Sequence, residues 1–520
     1  MAAFEPPHYP FRPATDDGAR HRVVVAGGGL VGLTAALDLA RRGQPVVVLD
    51  DDDTVSTGSR AICFAKRTLE IYDRLGIGGA IRDKGTTWNT GRVYFGEREV
   101  YGFDLLPERG HRNPAFVNLQ QYYVEHWLVE ACLATGLVDL RWKHKVAGIV
   151  NGADGVRLAV ETPAGNYSLT ADWLLACDGA RSLVRELLGL AFVGKVFRDR
   201  FLIADVVMHA DFPAERRFWF EPPFHRGGSV LLHRQADDVW RIDFQLGWDA
   251  DPEVEREPER VRARVRAMLG PAIPFELEWV SIYTFRCRRI EKFRHGRTIF
   301  LGDAAHQVSP FGARGGNGGV QDADNLGWKL DAVIRGEAPA TLLDTYDIER
   351  IPATDENILN STRSTDFITP KNEAARAYRD AVLELAARHD FARPLVNSGR
   401  LSRPAVLHNS PLSTPDEAPW ANGAPLGAAA PDAPLDNGFL LDRTDPNGFT
   451  LLVFGEGAPG GVPGVKRVNV PVASVAAERY GAGTGNAVLL RPDQHVAARW
   501  RRCDPAAIGH ARDRALGRVA

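Results

Sequence analysis

A glycine-rich turn near the start of the chain has the residue types that hold a pyrophosphate. Gly27, Gly29 and Gly32 follow the pattern GxGxxG, between an apolar run and a helical pattern. Glycines let the backbone approach a ligand closely, and the following helix offers unpaired N–H groups and the positive end of its dipole. Asp50 ends the next apolar run, where a carboxylate can accept hydrogen bonds from a ribose. This motif predicts a dinucleotide site without distinguishing NAD from FAD.

A second motif, far along the chain, favours a flavin. Gly302 and Asp303 begin the sequence GDAAH after a predicted buried strand, and a glycine-rich segment follows at 310–319. Asp303 can bind ribose or ribityl hydroxyls, and the glycines allow the backbone to lie against a flat ring. A helix that starts near Gly319 would point its positive end at the ring, which stabilises the negative charge of a reduced flavin. A plain NAD dehydrogenase has no need of this second half-site.

A third motif completes a family resemblance. Residues 178–185 read DGARSLVR, which fits DGxxSxVR at a predicted strand-to-helix turn. GxGxxG, DGxxSxVR and GDAAH…PxGxxGxN, in this order, resemble the single-component FAD-dependent aromatic hydroxylases, the 4-hydroxybenzoate hydroxylase-like family. The most similar subgroup comprises 3-(3-hydroxyphenyl)propionate, resorcinol and pentachlorophenol hydroxylases, which carry a C-terminal thioredoxin-like domain. Arg314 departs from the family type, which has a lysine at that place.

The resemblance implies which residues contact the bound FAD. The glycines of the first motif would hold its pyrophosphate, and residues from 310 to 317 would border the flavin ring. The full set of expected cofactor contacts is Gly27, Gly29, Gly32, Asp50, Arg60, Gln121, Asp178, Arg181, Gly302, Asp303, Pro310, Gly312, Gly315 and Asn317. Two of these have plain structural alternatives, since Arg60 could instead form a surface ion pair and Gln121 could instead cap a helix.

The resemblance also implies a reaction. NADH or NADPH would reduce FAD, and the reduced flavin would capture O2 as a C4a-hydroperoxide that hydroxylates a small phenolic aromatic substrate. A phenol reacts better as a phenolate, so a proton acceptor is expected near the substrate. His233, Arg241 and Tyr283 are weak candidates for that role, each with a structural role equally open. The aromatic residues 218–220 would line the pocket or form core, and His306 is expected to be structural.

The elements that must position these residues predict an α/β chain in several units. Parallel βαβ patterns indicate a Rossmann-like FAD-binding domain, and alternating polarity indicates an inserted antiparallel sheet that binds substrate. The predicted division is an N-terminal arm at 1–20, the FAD-binding domain at 21–199 and 291–402, the substrate sheet at 200–290, a linker at 403–436 and a thioredoxin-like domain at 437–520. This last unit has no CxxC, so we expect packing or a homodimer contact there rather than thiol exchange.

Composition excludes several other classes of protein. The 520 residues are 44% hydrophobic and carry a net charge of −3, which predicts neither nucleic-acid nor membrane partners. No apolar run reaches the length of a membrane span. The five cysteines are far apart, which argues against disulfides and against a metal site and favours a cytoplasmic protein. They are Cys63, Cys132, Cys177, Cys287 and Cys503.

Two other functions compete with hydroxylation of a simple phenol. An enzyme of the same fold would hydroxylate a polycyclic aromatic polyketide, and nothing in the pocket sequence decides between the two. A non-catalytic flavoprotein would bind FAD without turnover that substrate stimulates. A flavin halogenase is disfavoured because WxWxIP is absent from the sequence.

Overall fold

The computed structural model describes residues 4–58, 60–396, 401–417, 419–420, 422–456, 461–502 and 504–519. Cys503, the lone cysteine of the C-terminal unit, lies outside these residues. None of the helices in the described ranges has the length and apolar character that crossing a membrane requires.

The first sheet holds the parallel βαβ unit that the sequence predicts around the helix Leu30–Arg41. Its central strands are buried on both faces, as β-branched runs such as 23–25 and 46–48 require. Five strands lie parallel, and short antiparallel strands extend the sheet. The parallel strands are, in spatial order, Val138–Trp142, Val46–Asp50, Arg20–Ala26, Gly165–Ala176 and Thr298–Phe300, and the others are Lys145–Asn151, Val156–Thr162 and Arg294–His295.

A second sheet of eight strands forms the layer that faces the first domain. Most neighbours are antiparallel, but Arg216–Phe220 runs parallel to Thr90–Phe95. The strands Thr90–Phe95 and Arg98–Asp104 lie outside the range 200–290 predicted for this layer, because this parallel pairing joins segments distant in sequence. The spatial order is His306–Gln307, Glu276–Ile290, Phe192–Val207, Val239–Leu246, Ser229–Arg234, Arg216–Phe220, Thr90–Phe95 and Arg98–Asp104.

Helices cover the first sheet and extend beyond it. The helix expected to start near Gly319 begins earlier, at Gly315, so the glycine-rich segment itself forms its first turn. The α-helices are Leu30–Arg41, Lys66–Arg74, Gly78–Lys84, Gln121–Ala134, Leu183–Leu187, Pro252–Glu255, Pro258–Leu269, Gly315–Ile334, Asp344–Ile368, Glu373–Ala386, Arg393–Val396, Val475–Tyr480 and Pro505–Ala515, and the 3-10 helices are Gly302–Ala304, Ala340–Leu343, Asp390–Ala392 and Leu440–Arg443.

The C-terminal unit is a four-stranded sheet packed on the helix Gly315–Ile334. Trp328 of that helix meets Phe449 of the sheet edge-on, with ring centroids 6.2 Å apart. The predicted linker lies against this unit, and its Leu407 and Leu412 are buried. The strands are, in order, Val465–Val470, Phe449–Phe454, Ala487–Leu490 and Val496–Trp500, and two smaller sheets hold Cys63–Ala65, Phe116–Asn118 and Thr86–Trp88, and Pro434–Leu435 and Gly438–Phe439.

The N-terminal arm lies along the first domain. Tyr9 stacks on Trp142 with ring centroids 4.6 Å apart, and the Tyr9 amide donates to the Asp53 carbonyl at 2.7 Å. His144 Nε2 donates a hydrogen bond to the Arg12 carbonyl, 2.9 Å away. The arm therefore supports the loop that follows Asp50.

Candidate active site

The glycine turn at 27–32 packs its backbone closely against neighbouring backbone segments. Gly27 has φ +104°, and a Cβ there would lie 2.5 Å from the Cys177 carbonyl oxygen. A Cβ on Gly32 would lie 1.9 Å from the Gly27 carbonyl oxygen. Both contacts are far shorter than atoms tolerate, so only glycine fits. The turn thus brings the start of the helix Leu30–Arg41 directly against the carboxyl ends of the strands.

Asp50 lies at the end of the second strand, beside this turn. Its Oδ2 accepts the Gly28 amide at 2.5 Å and its Oδ1 accepts the Asp52 amide at 2.8 Å. Burial raises the pKa of Asp50 to about 6, although the two amides act in the opposite direction. A carboxylate so placed can accept ribose hydroxyls at the mouth of the turn.

Glu125, which the sequence analysis missed, holds the same region from another helix. Its Oε1 accepts the Leu30 amide at 2.9 Å, and its Oε2 accepts the Ser56 amide at 2.8 Å. Gln121 donates to Glu125 at 2.7 Å and accepts the Ala61 amide at 2.9 Å, so it is tied to the loop. The available signal was spacing, since Glu125 follows Gln121 by one helical turn.

The DG motif forms the next wall of the cavity. Asp178 accepts the Val184 amide at 2.9 Å, while its Oδ1 is buried with no hydrogen-bond partner in the described chain. Ser182 caps the short helix by accepting the Arg185 amide at 3.0 Å. Arg181 lines the cavity beside them. The unsatisfied Asp178 oxygen is a place where a bound hydroxyl would be accepted.

The GDAAH turn contains one residue that lines the cavity, Asp303, and one that has a structural role, His306. Asp303 faces the cavity and is otherwise surrounded by protein. The loss of contact with bulk water raises the pKa of its carboxyl. His306 instead lies buried, with Nε2 2.6 Å from Asp322 Oδ2, while Arg350 donates to the other Asp322 oxygen at 2.7 Å. His306 therefore braces the turn against the helix Gly315–Ile334 rather than facing the cavity.

The segment 310–317 forms part of the cavity lining. Pro310, Gly315 and Asn317 line the cavity. The Asn317 side chain accepts the Ala65 amide at 2.9 Å and donates to the Cys63 carbonyl at 2.8 Å. Its amide is thus used to hold a neighbouring strand, so a flavin contact from Asn317 would come from its backbone.

A single cavity of about 1280 Å³ brings most of the predicted residues together. This exceeds the usual range of about 300–1,000 Å³ for one ligand, so it has room for a cofactor and a substrate. Gly32, Gly302 and Gly312 do not line it but shape the turns behind it. The predicted cofactor residues that line it are Gly27, Gly29, Asp50, Arg60, Gln121, Asp178, Arg181, Asp303, Pro310, Gly315 and Asn317.

The far wall of this cavity is the second sheet. His233 and Arg241, which pair directly across neighbouring strands, line it together with Tyr283. Arg241 donates to Asp243 at 2.9 Å and to the Arg60 carbonyl at 3.0 Å, which links the sheet to the cofactor loop. Arg60, predicted as a cofactor contact or an ion pair, lines the cavity and accepts this hydrogen bond through its backbone carbonyl.

His233 is a buried imidazole without a hydrogen-bond partner in the described chain, and its Nδ1 is shielded from solvent. Burial, with Arg216 and Arg241 nearby, lowers its pKa well below the usual value. His233 is therefore neutral at neutral pH, and a neutral imidazole offers a ring nitrogen that can accept a hydrogen bond.

The aromatic run 218–220 lies outside the cavity lining. Phe218 and Phe220 are buried in the core behind the wall, and Trp219 points to the opposite face, where it stacks on Tyr94 with centroids 5.2 Å apart. The alternation of a strand puts Trp219 away from the other two. The lining aromatics are instead Tyr283, Phe285 and Phe311.

Comparison with known proteins identifies the family. The family described as FAD binding domain matches residues 20–361. A flavin-dependent monooxygenase of Mycobacteroides abscessus is 31% identical over 499 residues, covering 91% of this chain and 96% of the relative. This chain belongs to the FAD-binding monooxygenases.

Other relatives agree with this assignment. A 3-(3-hydroxyphenyl)propionate/3-hydroxycinnamic acid hydroxylase of Mycolicibacterium smegmatis is 30% identical over 440 residues, 83% of this chain and 76% of that protein. The crystal structure of the flavin-dependent monooxygenase PieE with FAD and substrate superposes with a TM-score of 0.80 at 25% identity, covering 96% of this chain and 99% of that one. The predicted fold of a flavoprotein hydroxylase is confirmed.

This FAD-binding monooxygenase has a cavity whose polar groups fit the pyrophosphate and the hydroxyls of FAD. The glycines, where a side chain would clash, let a pyrophosphate come close to the start of the helix Leu30–Arg41. The unpaired Asp178 oxygen can accept a hydrogen bond from a cofactor hydroxyl. Asp50 and Asp303 place carboxylates beside two different turns of the same cavity. The chain is thus an FAD-dependent enzyme.

Proposed function

We propose that this monooxygenase hydroxylates a phenolic aromatic substrate, with NADH or NADPH as reductant and O2 as the source of oxygen. One oxygen atom would enter the ring in place of hydrogen, and the other would leave as water as NAD(P)H is oxidised to NAD(P)+ with uptake of one proton. The observation that supports this most is one cavity whose first wall holds the cofactor motifs and whose second wall carries His233 and Arg241.

FAD, when bound, supplies the activation of O2 that no side chain here can perform. The residues of the chain would bind the ring, exclude water and handle the substrate proton. We propose the cofactor contacts that the resemblance implies, from Gly27 to Asn317, and the position of these residues in the cavity lining or in the turns behind it supports this.

His233 is our candidate for the proton acceptor. A neutral, unpartnered imidazole in the substrate wall can take the phenol proton, which leaves the more reactive phenolate. The adjacent Arg241 is held by Asp243, so its charge is fixed in place near the phenolate oxygen. Tyr283 lines the same wall, two strands away from Arg241, and is a candidate for a hydrogen bond to the substrate.

Apolar side chains complete this wall. Ile203, Leu231, Phe285 and Phe311 line the cavity. Their surface favours a flat aromatic ring and keeps water from the reacting atoms. An aromatic substrate is therefore favoured over a sugar or a peptide.

A polycyclic polyketide remains a second candidate for the substrate. Relatives named 6-methylpretetramide 4-monooxygenase and anhydrotetracycline monooxygenase, both from Streptomyces rimosus, act on such molecules by their names. The cavity volume is compatible with a larger ring system but does not favour it over a simple phenol.

We also propose a cellular setting, a fold type for the C-terminal unit and an oligomeric state. The unpaired cysteines in the described chain support a reducing, cytoplasmic setting. The C-terminal sheet and helix support a thioredoxin-like unit that packs rather than exchanges thiols. A homodimer is proposed for this unit on its resemblance to the longer hydroxylases.

Oxidation of NADH and NADPH by the FAD-loaded protein tests the proposed function. Rates are measured in air with no addition and with resorcinol, 3-(3-hydroxyphenyl)propionate or a polycyclic phenol. Strong stimulation by one phenol, with a hydroxylated product, is the expected result. Equal oxidation with and without every phenol, with one hydrogen peroxide formed from O2 for each NAD(P)H oxidised, would support a non-catalytic flavoprotein instead.

A further inference from the structure

Arg216 is a cation in the substrate wall that no sequence motif indicated. It begins the strand Arg216–Phe220, which pairs with Ser229–Arg234 so that Arg217 lies opposite Leu232. His233 in turn lies opposite Arg241 on the next strand. Arg216, His233 and Arg241 therefore follow one another across three neighbouring strands, and all three line the cavity.

The guanidinium of Arg216 has no partner of its own within the described ranges. It is 8% exposed, yet no carboxylate lies within 4.0 Å of it and none of its N–H groups donates a hydrogen bond there. The neighbouring arginines are different, because Arg217 donates to Glu215 at 2.9 Å and Arg241 donates to Asp243 at 2.9 Å. A buried charge without a partner is costly, so folds keep one where a ligand supplies the partner.

The surroundings of Arg216 do not supply that partner. Asp243 is a carboxylate whose charge acts on Arg216, but it is already engaged by Arg241. Cys63 and Tyr101 are the other titratable groups that influence Arg216, and burial raises the pKa of both, so they are neutral. His233, beside Arg216 on the next strand, is neutral for the reasons given above. The cavity therefore presents a net positive site here.

We propose that Arg216 binds an ionised oxygen group of the substrate, so that the substrate is an aromatic carrying a carboxylate or an acidic hydroxyl. The guanidinium fork matches such an oxygen anion, and charge-assisted hydrogen bonds of this kind are about twice as strong as neutral ones. This inference rests on the proposed function, since it names the substrate class of the same cavity. Arg216 acts in binding and orientation, while His233 takes the proton of the hydroxyl that activates the ring.

Binding to the FAD-loaded protein, followed by the perturbed flavin absorbance, tests the proposal. Two matched pairs of probes separate the sources of charge. The carboxylate pair is 3-(3-hydroxyphenyl)propionate and its primary amide, and the hydroxyl pair is ionised 4-nitrophenol and 4-nitroanisole. The unaltered protein should bind the charged member of at least one pair more than tenfold more tightly than the neutral member. The pair that shows the preference identifies the anionic group.

The variant Arg216→Met should abolish this preference and leave affinity for the neutral probe within about threefold. Arg217→Met is the matched control, because Arg217 is the next residue of the strand and pairs outside the cavity with Glu215. It should keep the preference. Equal affinity for charged and neutral probes in the unaltered protein, or a preference that survives Arg216→Met, would overturn the proposal.

Thermal unfolding separates a binding role from a structural role. Since the guanidinium has no protein partner in the described chain, Arg216→Met should melt no lower than the unaltered protein when probe is absent. A large loss of melting temperature would mark Arg216 as structural and contradict the proposal. Failure of the proposed function gives a different result, in which charged probes bind through Arg216 but none is hydroxylated.

Discussion

The Glu125 carboxylate lies 2.9 Å from the Leu30 amide, at the first turn of the helix that follows the glycine motif. The same carboxylate accepts the amide and hydroxyl of Ser56. One side chain thus ties the cofactor helix, the loop after Asp50 and the helix Gln121–Ala134 together. Loop and helix must keep this arrangement for the cavity to keep its shape.

Replacing Glu125 by Gln should therefore loosen the cofactor site. The amide of Gln would place an N–H against donors that now share a carboxylate, at a cost of about 1–3 kcal/mol. We expect a lower melting temperature and weaker FAD binding, measured by thermal unfolding and flavin fluorescence. Glu130→Gln, on the same helix but exposed, is the control and should behave as the unaltered protein. Identical behaviour of the two variants would refute the role of Glu125.

Crowding at the glycine turn predicts a contrast between two glycines of positive φ. Gly27 (φ +104°) has the Cys177 carbonyl 2.5 Å from the position of a Cβ, whereas Gly43 (φ +85°) has no atom within 4 Å. Gly27→Ala should abolish FAD retention or folding. Gly43→Ala, with similar backbone strain, should cost only about 1 kcal/mol and retain FAD. FAD content after gel filtration measures both, and retention of FAD by Gly27→Ala would contradict the close approach.

FAD binding should depend on pH through Asp50. Its pKa of about 6 is raised above the ordinary value of about 3.9. Ionisation of Asp50 therefore lowers the free energy of unfolding of the FAD-free protein above pH 6. This loss disappears as the pH falls from 6 towards 4. A protonated carboxyl also loses acceptor strength, so FAD affinity should fall as pH drops through about 6. Titration of FAD binding against pH should show this step in the unaltered protein and lose it in Asp50→Asn.

His233 should affect the rate of hydroxylation more than it affects the binding of the phenol. His233→Asn removes the proton acceptor, so we expect the rate of hydroxylation to fall by about 10²–10⁴ while the Kd of the phenol changes little. Because the pKa of His233 is lowered well below its usual value, its protonation should leave the rate unchanged between pH 6 and 8. A phenol that is already ionised should recover part of the rate. His225→Asn, outside the cavity lining, is the control, and equal rates for the two variants would exclude this role.

The C-terminal unit should be needed for a stable cofactor domain. Arg491 of this unit pairs with Glu349 and Asp493 at 2.5 Å each, and Lys329 pairs with Glu349 at 2.6 Å. These groups are fully buried, so Arg491→Met should cost about 3–5 kcal/mol. The exposed pair of Arg335 with Glu337 offers a control, Arg335→Met, with an expected cost below about 1 kcal/mol. Separate unfolding of the C-terminal unit with FAD retained in Arg491→Met would contradict this coupling.

Local sequence patterns predicted the turns on the first wall of the cavity better than the residues of the second sheet that line its far wall. Gly27, Asp50 and Asp303 lie at turns whose geometry follows from the few residues around them, so sequence could place them. Arg216 and His233 meet only through the register of distant strands, which depends on the whole sheet. Trp219 shows the same limit, because the alternation of one strand decided that it points away from the cavity. Glu125 was missed because its partners, Leu30 and Ser56, are far away in sequence.

Isotope labelling of the product tests the central proposal most directly. The FAD-loaded protein is supplied with NADPH or NADH, the phenol that most stimulates oxidation, and O2 labelled with oxygen-18. The predicted result is a hydroxylated phenol that carries one labelled oxygen atom, with no label acquired from oxygen-18 water in the reverse experiment. A product labelled only from water, or full consumption of NAD(P)H with no hydroxylated product from any phenol of the panel, would contradict it.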